Sequence, residues 1–327
     1  MSSFSETILS WYDAHGRDLP WRRTRDPYAI WLSEIILQQT RIAQGQAYWE
    51  RFMAAWPDVR ALAAADEDEV LRCWQGLGYY SRARNLHAAA RQIAAAGRFP
   101  DTLAGIRALK GVGDYTAAAI GSIAFGLPAA VVDGNVYRVL ARHFGIATPV
   151  GSASAKKEFT ALAQSLLPAG RPGDFNQGMM DFGAMQCTPA APDCAGCPLA
   201  DSCAALAAGR VDELPVREKG PAVQERRFSY VYLRFRGRTA IRKRPVGDIW
   251  AGLWEPLVCD HIPRKAKQLK RDVRHQLTHR TLIVDFYLWE PAEEPALPEG
   301  YVWIEEAELD RYAKPRLFER LLETLPK

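Results

Sequence analysis

The chain has 327 residues, 48% of them hydrophobic, which is enough apolar sequence for two folded domains rather than one. Its formal net charge of +4 is too small to indicate a nucleic-acid partner by itself. Local clusters of residues must therefore decide whether the protein binds nucleic acid. The amino terminus lacks the pattern of a signal peptide, and the longest apolar stretch, 117–132, is shorter than a bilayer span. We therefore expect a cytoplasmic protein with no membrane partner.

Residues 26–209 form a succession of helical patterns with short glycine or proline breaks. The segment 29–44 (AIWLSEIILQQTRIAQ) carries apolar residues at helical spacing, and 81–97 (SRARNLHAAARQIAAAG) begins at serine and ends at glycine. No convincing pair of strands occurs before residue 225. The first two thirds of the chain are thus predicted to be all-α.

Glu34 lies within the first of these segments, among large apolar neighbours such as Trp31 and Ile35. At the edge of a poorly solvated pocket, desolvation would raise the pKa of this carboxyl and keep it protonated near neutral pH, as a general acid requires. The alternative is an ordinary glutamate on the solvated face of a helix.

Residues 109–120 (LKGVGDYTAAAI) place a Gly-x-Gly turn, Gly111 and Gly113, directly before an alanine-rich helix. Glycine lets the backbone turn tightly, and amide groups at the start of a helix favour an anion such as a DNA phosphate. Taken alone, a Gly-x-Gly pattern favours a plain tight turn between packed helices, so other segments must decide.

Asp133 follows an apolar run and precedes the helical segment GNVYRVL, where it can serve as an N-cap. A carboxylate at a buried helix start can also stay ionised and face a developing positive charge. Together with Glu34 as a proton donor, it would resemble the acid and the stabiliser of glycoside cleavage.

Four of the six cysteines fall within residues 187–203 with the spacing C-x6-C-x2-C-x5-C: Cys187, Cys194, Cys197 and Cys203. Thiolates crowded onto one loop can all bind one inorganic centre, and four of them suit either zinc or an iron–sulfur cluster. The residue chemistry leaves that choice open. Four unligated thiols are disfavoured, because exposed reactive thiols are liabilities.

The composition changes after residue 209. Residues 209–227 are rich in proline and charge and lack a period, which is typical of a linker. After them come β-branched and aromatic segments with alternating polarity, at 228–235, 239–244, 281–289 and 301–306. These segments predict a small α+β domain.

The whole pattern resembles the MutY-type adenine DNA glycosylases of the helix-hairpin-helix superfamily, over nearly the entire chain. Besides the cysteine spacing, the resemblance is carried by LPWR (19–22), DPYAIWLSEIILQQT (26–40), GLGYYSRARN (76–85), LKGVGDYTAAAI (109–120), VVDGNVYRVL (131–140) and NQGMMDFGAMQC (176–187). It implies an all-α helix-hairpin-helix glycosylase domain over 1–209, with one 4Fe-4S cluster on the loop 187–203. A linker over 210–226 and a Nudix-like, α+β lesion-recognition domain over 227–327 would follow.

By the same resemblance, the partner is double-stranded DNA in which adenine is mispaired with 8-oxoguanine or guanine. The adenosine would be swung out of the stack, Glu34 would protonate the base at its seven-position nitrogen, and Asp133 would stabilise the sugar cation. Tyr115 fills the place of a lysine that forms a Schiff base in glycosylases with lyase activity. Since a phenol cannot form that imine, we expect a monofunctional enzyme.

Further positions match DNA-contacting residues of the family. The resemblance implies an adenine pocket lined by Trp21, Arg22 and Gln177, and a hairpin at Gly111 and Gly113 that grips phosphates. It also implies that Gln39 and Tyr79 insert into the duplex. Because Arg82 lies beside an intercalating tyrosine, we expect it to contact a phosphate. The alternatives are that Trp21 and Tyr79 are core aromatics and that Arg82 lies on a solvated helix face.

Leu277, Thr278 and His279 occupy the place where many relatives carry a Phe-Ser-His loop that reads 8-oxoguanine. Threonine keeps a hydroxyl and histidine keeps a donor, but leucine lacks the ring, so discrimination against undamaged guanine is expected to be weaker. A turn with a capping threonine is the alternative. No Nudix-box pattern of metal-binding glutamates is present, which argues against nucleotide diphosphate hydrolysis.

Two other functions stay open at this point. An endonuclease-type glycosylase/lyase would share the hairpin, the aspartate and the cluster, but Tyr115 in place of lysine counts against it. A non-catalytic lesion-binding or redox-signalling protein would not need both Glu34 and Asp133. We expect a monomer that is cytoplasmic and associated with the nucleoid when bound to DNA.

Overall fold

The computed structural model describes residues 3–218, 224–245, 247–277 and 280–326. By its internal packing the chain divides into two compact units, Met1–Ala63 with Ala88–Lys219 and Ala64–His87 with Gly220–Lys327. The predicted boundaries at 209 and 227 did not include the grouping of 64–87 with the C-terminal residues, and they stay a prediction. Thr278 and His279 of the predicted lesion loop lie outside the described residues.

Up to residue 207, the regular secondary structure of the described residues is helical. The α-helices are α1 Ser3–His15, α2 Pro27–Ile36, α3 Ile42–Ala55, α4 Val59–Ala64, α5 Glu67–Cys73, α6 Ser81–Ala96, α7 Leu103–Arg107, α8 Asp114–Phe125, α9 Gly134–Phe144, α10 Ala153–Leu166, α11 Pro172–Met185 and α12 Ala204–Ala207. In the described residues before 224, pairing between extended segments is limited to one bridge, Val150 with Arg217. The all-α prediction is confirmed. None of the helices in the described ranges is both long and apolar enough to cross a membrane.

The apolar spacing of residues 29–44 belongs to two helices rather than one. Helix α2 ends at Ile36 and α3 begins at Ile42. Between them Gln39 has a φ of 57°, a left-handed conformation that interrupts a right-handed helix. The hydrophobic period continues across this turn, but the helical conformation of the backbone does not.

Two clusters in the core of the first unit position the helices of the candidate site. The larger one packs α1, α9, α10 and α11 around fully buried side chains that include Ile8, Leu140 and Phe159. In the smaller one, Ile30 of α2 packs with Ile123 of α8. These two cores fix α2, α8, α9 and α11, the four helices that carry the candidate site.

Helix α11 approaches the start of α9 closely at Gly183. A Cβ added there would lie 2.6 Å from the Cβ of Asn135 and 3.0 Å from its carbonyl oxygen. Because backbone cannot move aside as a flexible side chain can, Gly183→Ala is expected to lower the free energy of unfolding by about 1–3 kcal/mol. Urea denaturation measures this. Gly134→Ala is the matched control, since its Cβ would meet nothing within 4 Å; equal midpoints for the two variants would contradict the prediction.

The second unit is built on a mixed seven-stranded sheet. Its strands are β1 Gln224–Phe235, β2 Arg238–Lys243, β3 Trp254–Glu255, β4 Leu257–Cys259, β5 Lys267–Gln276, β6 Arg280–Trp289 and β7 Tyr301–Glu305. Strand β1 pairs in parallel with β6 and antiparallel with β2 and β4, and the outer strands pair antiparallel. Helix α13, Arg316–Leu322, contributes Leu317 and Phe318 to a core with Tyr230 and Phe286. The α+β prediction is confirmed.

Candidate active site

One cavity of about 490 Å³ in the first unit collects most of the predicted catalytic and pocket residues. Its lining includes Trp21, Arg22, Glu34, Tyr115, Asp133 and Gln177. They come from a short 3-10 turn at Pro20–Arg22, from α2, from α8, from the residue before α9, and from α11. The volume lies in the range of small-molecule pockets, about 300–1,000 Å³.

Glu34 is half-buried near the C-terminal end of α2. Burial raises the pKa of Glu34 to about 7, the Arg22 guanidinium opposes this rise, and the Asp133 carboxylate adds to it. A carboxyl with a pKa near 7 holds its proton for a large fraction of the time at neutral pH. This is the property required of a general acid, and it excludes a freely solvated glutamate.

Asp133 is the N-cap of α9. One of its oxygens accepts hydrogen bonds from the backbone N–H groups of Asn135 (2.9 Å) and Val136 (2.8 Å), and the other accepts one from Asn135 Nδ2 (2.9 Å). Burial raises the pKa of Asp133, while these hydrogen bonds oppose the rise. Because three donors stabilise its anion, Asp133 is the member of the Glu34–Asp133 pair that stays ionised. The Asp133 side chain thus both caps α9 and lines the cavity.

Tyr115 stands in the first turn of α8, and its hydroxyl lies close enough to the Glu34 carboxyl to interact with it. The same hydroxyl lies 3.3 Å from Met180 Sδ. Burial, and then the two nearby carboxylates, raise the pKa of Tyr115 well above its ordinary value. The phenol is therefore neutral at physiological pH. As a tyrosine side chain, it also has no amine that could attack a sugar carbon.

The Gly-x-Gly turn precedes α8 as predicted. Gly111 has a φ of 78°, which favours glycine, and Val112 N–H donates to the Leu109 carbonyl at 3.1 Å. Gly113 is the N-cap of α8 and caps it without a side chain, and a Cβ added at Gly113 would meet nothing within 4 Å. The first amides of α8 therefore lie beside open space, where an anion can approach.

The predicted duplex-inserting residues lie on turns rather than in a core. Gln39 is exposed between α2 and α3. Tyr79 is 45% exposed with a φ of 46°, which excludes a core role. The Arg82 guanidinium stacks over the Tyr79 ring at 5.6 Å and over Trp74 at 5.0 Å, so Arg82 is not simply solvated.

Tyr79 and Leu277 line a common cavity in the second unit. This cavity has a volume of about 740 Å³, and Arg84 and Trp250 also form part of its wall. It is larger than the cavity at Glu34, and the carboxylates in its wall are those of Asp248 and Glu319. Of the predicted lesion loop, Leu277 alone falls within the described residues.

All four cysteines of the loop 187–203 line one small cavity of about 30 Å³. Burial raises the pKa of the Cys194 thiol, and the neighbouring thiols of Cys187 and Cys203 add to the rise, so these groups are close enough to interact. Within the described ranges, no three or more His, Cys, Asp or Glu side chains are arranged around a single metal ion. The donor set is entirely sulfur, which suits a soft centre.

Two family models match the chain. The model of the HhH-GPD superfamily base excision DNA repair protein matches residues 32–168, and the model of the NUDIX domain matches residues 229–324. The adenine DNA glycosylase of Homo sapiens is 45% identical over 216 residues, which are 63% of this chain and 40% of that protein. That of Buchnera aphidicola subsp. Baizongia pistaciae is 30% identical over 302 residues, which are 86% of this chain and 84% of that protein.

The chain belongs to the adenine DNA glycosylase family. It spans less than half the length of the mammalian family members that it matches. A solved structure of a thermostable thymine-DNA glycosylase is also similar, with a TM-score of 0.57 and 34% identity, covering 63% of this chain and 95% of that one. The helix-hairpin-helix prediction and the Nudix-like prediction are confirmed.

In this member of the adenine DNA glycosylase family, sequence reasoning missed Arg17 and Asp181. Asp181 is completely buried on α11 and accepts hydrogen bonds from both Arg17 and Arg22. One signal was available, because Asp181 follows Gln177 by four residues and so shares its helix face. Its arginine partners are about 160 residues away along the chain, and no local pattern reveals them.

Asn135 and Arg138 were also missed. Asn135 hydrogen-bonds to Asp133, and Arg138 Nη2 donates to Asn135 Oδ1 at 2.8 Å. Arg138 Nε donates to the Cys187 carbonyl at 2.7 Å, so a chain of hydrogen bonds joins the aspartate to the cysteine loop. Helical spacing from Asp133 places both side chains near the start of α9, but sequence does not show what they bind.

Proposed function

We propose that the protein is a monofunctional DNA glycosylase that removes adenine mispaired with 8-oxoguanine, or with guanine, from double-stranded DNA. The observation that carries this proposal is one cavity with two unlike carboxyls, Glu34 with a pKa of about 7 and Asp133 held by three hydrogen-bond donors. Membership of the adenine DNA glycosylase family supports the choice of base.

The reaction begins with extrusion of the adenosine into the cavity, since its glycosidic bond cannot be reached inside a duplex. Trp21, Arg22 and Gln177 supply an aromatic surface, a charge and an amide to hold the base. Protonated Glu34 donates its proton to a purine ring nitrogen, so the base leaves as a neutral molecule while the glycosidic bond breaks. The sugar is left as an oxocarbenium-like cation, which Asp133 stabilises until water adds to it.

The neutral Tyr115 sets the outcome after base release. Without an amine at this place, no Schiff base forms and the product is an abasic site on an intact strand. The phenol has a second role, because its interaction with Glu34 helps to orient the carboxyl toward the base.

Contacts to the DNA come from several turns. The open amides at Gly111 and Gly113 bind a phosphate near the extruded nucleotide. Gln39 and Tyr79 enter the duplex and fill the space left by the base, while Arg82 contacts the backbone. The loop containing Leu277, Thr278 and His279 reads the base opposite adenine. The protein acts as a monomer.

A glycosylase assay tests the proposal on duplexes with adenine opposite 8-oxoguanine, guanine and thymine. We expect release of adenine from the first two and little from the third, with strand breaks appearing only after alkali treatment. Borohydride is expected to trap no covalent adduct. Absence of adenine release from the 8-oxoguanine duplex would refute the proposal, and a robust borohydride adduct would favour a glycosylase/lyase.

Leu277 is expected to limit selectivity for 8-oxoguanine, because it shares the cavity of Tyr79 but has no ring to stack. Leu277→Phe should raise the ratio of adenine release rates opposite 8-oxoguanine and guanine by a few-fold, as expected for about 0.5–1.5 kcal/mol of aromatic contact. Single-turnover kinetics on both duplexes measure this ratio. The control is Leu103→Phe, at an exposed position of α7. An unchanged ratio would argue against a role for this position.

We further propose that Cys187, Cys194, Cys197 and Cys203 hold one 4Fe-4S cluster. When bound, the cluster cross-links the loop 187–203 through four iron–thiolate bonds and so stabilises it. Arg142 supports this arrangement by placing Nη1 3.4 Å from Cys187 Sγ, so that the guanidinium donates a hydrogen bond to the sulfur.

Cys197→Ser should therefore abolish the visible absorbance of the purified protein and weaken its binding to lesion DNA. Optical spectroscopy and iron analysis measure the loss, and Cys73→Ser on α5 should keep both properties. A colourless wild-type protein that contains zinc would overturn the cluster assignment.

A further inference from the structure

Arg17 and Arg22 line the cavity of Glu34 and share one buried carboxylate. Asp181 has a side chain with no exposed surface, and it accepts hydrogen bonds from Arg22 Nη1 at 2.6 Å and Arg22 Nη2 at 2.9 Å. It also accepts bonds from Arg17 N at 3.0 Å, Arg17 Nε at 2.9 Å and Arg17 Nη2. Five donors on one buried carboxylate are more than a single ion pair requires.

Asp181 stays ionised throughout the neutral range. Burial by itself would raise the pKa of Asp181, but the hydrogen bonds from Arg22 and Arg17 outweigh burial and hold the pKa below its ordinary value. The group of Arg17, Arg22 and Asp181 therefore carries a net charge of +1 beside the cavity. Without the carboxylate, the same two guanidinium groups would carry +2.

Of these three groups, Arg22 is the one whose field acts directly on Glu34, where it opposes protonation of the carboxyl. Asp181 and Arg17 reach Glu34 indirectly, through the charge that surrounds Arg22. The other groups that act on Glu34 are Asp133 before α9 and Tyr115 on α8. Arg41, the N-cap residue of α3, also lines the cavity. Of the arginines in the lining, Arg17 and Arg22 are the two bound to Asp181.

We propose that Asp181 is a positioning residue of the reaction, which holds Arg22 against the cavity and cancels half of the positive charge that Arg17 and Arg22 bring there, so that Glu34 keeps its proton. The inference rests on the proposed function, because it takes Glu34 as the proton donor. It adds a prediction that a merely structural role does not make, namely that the charge of the group, rather than its shape, sets the pH at which activity is lost.

The first test is Asp181→Asn, which keeps the size of the side chain and removes its charge. Two uncompensated guanidinium groups favour ionised Glu34, so the falling limb of the pH profile for adenine release should move to lower pH by about one unit. Release should then be about tenfold slower at pH 8 and close to the wild-type rate at pH 5.5, as a one-unit shift requires.

Arg17→Gln makes the opposite prediction. This arginine is 30% exposed while Arg22 is 10% exposed, so Arg17 can be removed with less disruption. The remaining pair of Arg22 and Asp181 has no net charge, and the falling limb should move to higher pH. Shifts of opposite sign in two variants of one cluster are a signature of charge, since damage to the fold would lower activity in both at every pH.

Asp18→Asn is the matched control. Asp18 also pairs with an arginine, Arg23, but this pair is exposed, at 72% and 67% of the two side chains. Its pH profile should coincide with that of the wild type. The 13C titration of the Glu34 carboxyl in each protein gives a second readout, which does not depend on activity.

Unshifted midpoints in Asp181→Asn and Arg17→Gln, with rates lowered equally at all pH values, would overturn the inference while leaving the proposed function intact. If Asp181→Asn fails to fold, Arg17→Gln decides, and a midpoint that stays in place or moves down contradicts the inference. Absence of adenine release from the wild-type protein would instead remove the proposed function, and this inference with it.

Discussion

Glu34→Gln is expected to abolish measurable adenine release while leaving binding to the mismatched duplex intact. Glutamine keeps the size of the side chain but cannot donate an acidic proton, and a positioned general acid contributes about 10²- to 10⁴-fold to the rate. Single-turnover kinetics and a gel-shift titration measure the two properties separately. Glu50→Gln, at an exposed position of α3, is the control for the chemical change.

The acid role also predicts the pH dependence of the wild-type enzyme. Protonated Glu34 is the active form, so the rate of base release should fall as pH rises through about 7, the raised pKa of this carboxyl. Rapid turnover by the glutamine variant, or a rate that increases through the same range, would rule out Glu34 as the proton donor.

Asp133→Asn is expected to slow adenine release by about 10²- to 10³-fold, the effect of removing one preorganised electrostatic group. Asparagine caps a helix about as well as aspartate, so α9 should keep its stability and the loss should report the missing negative charge. Thermal unfolding of the variant checks the first point and single-turnover kinetics check the second.

Asp66→Asn is the matched control for this substitution. Asp66 is the N-cap of α5 and accepts a hydrogen bond from Asp68 N, but it does not line the cavity. Both variants therefore make the same change at a helix start, and Asp133→Asn alone should lose activity. Equal rates for the two would show that the charge of Asp133 has no part in the reaction.

The parts of the site that could be predicted from sequence are those carried by short local patterns. Trp21, Glu34, Tyr115 and Asp133 each stand in a compact stretch with its own signal, and the structure brings all of them to one cavity. The change from helices before residue 224 to a region that contains strands after it also follows from periodicity, since the helical and strand periods differ clearly.

What could not be predicted depends on contacts between distant parts of the chain. The partners of Asp181 are separated from it by about 160 residues, and no pattern links them. The end of α2 at Ile36 could not be predicted from the sequence, because the apolar spacing continues through Gln39. The left-handed backbone of Gln39 breaks the helix there. Likewise, the grouping of 64–87 with the C-terminal residues is a result of packing, which composition does not record.

The capping of α9 by Asp133 affects which step of the proposed reaction requires energy from DNA binding. The carboxylate is oriented by amides of its own helix, so its position is set during folding and does not await the substrate. Under the proposed mechanism, no reorganisation of this dipolar environment is then needed when the sugar becomes cationic. In that mechanism, the affinity for the proposed mismatched duplex is available to drive the costly step, the unstacking of a nucleotide.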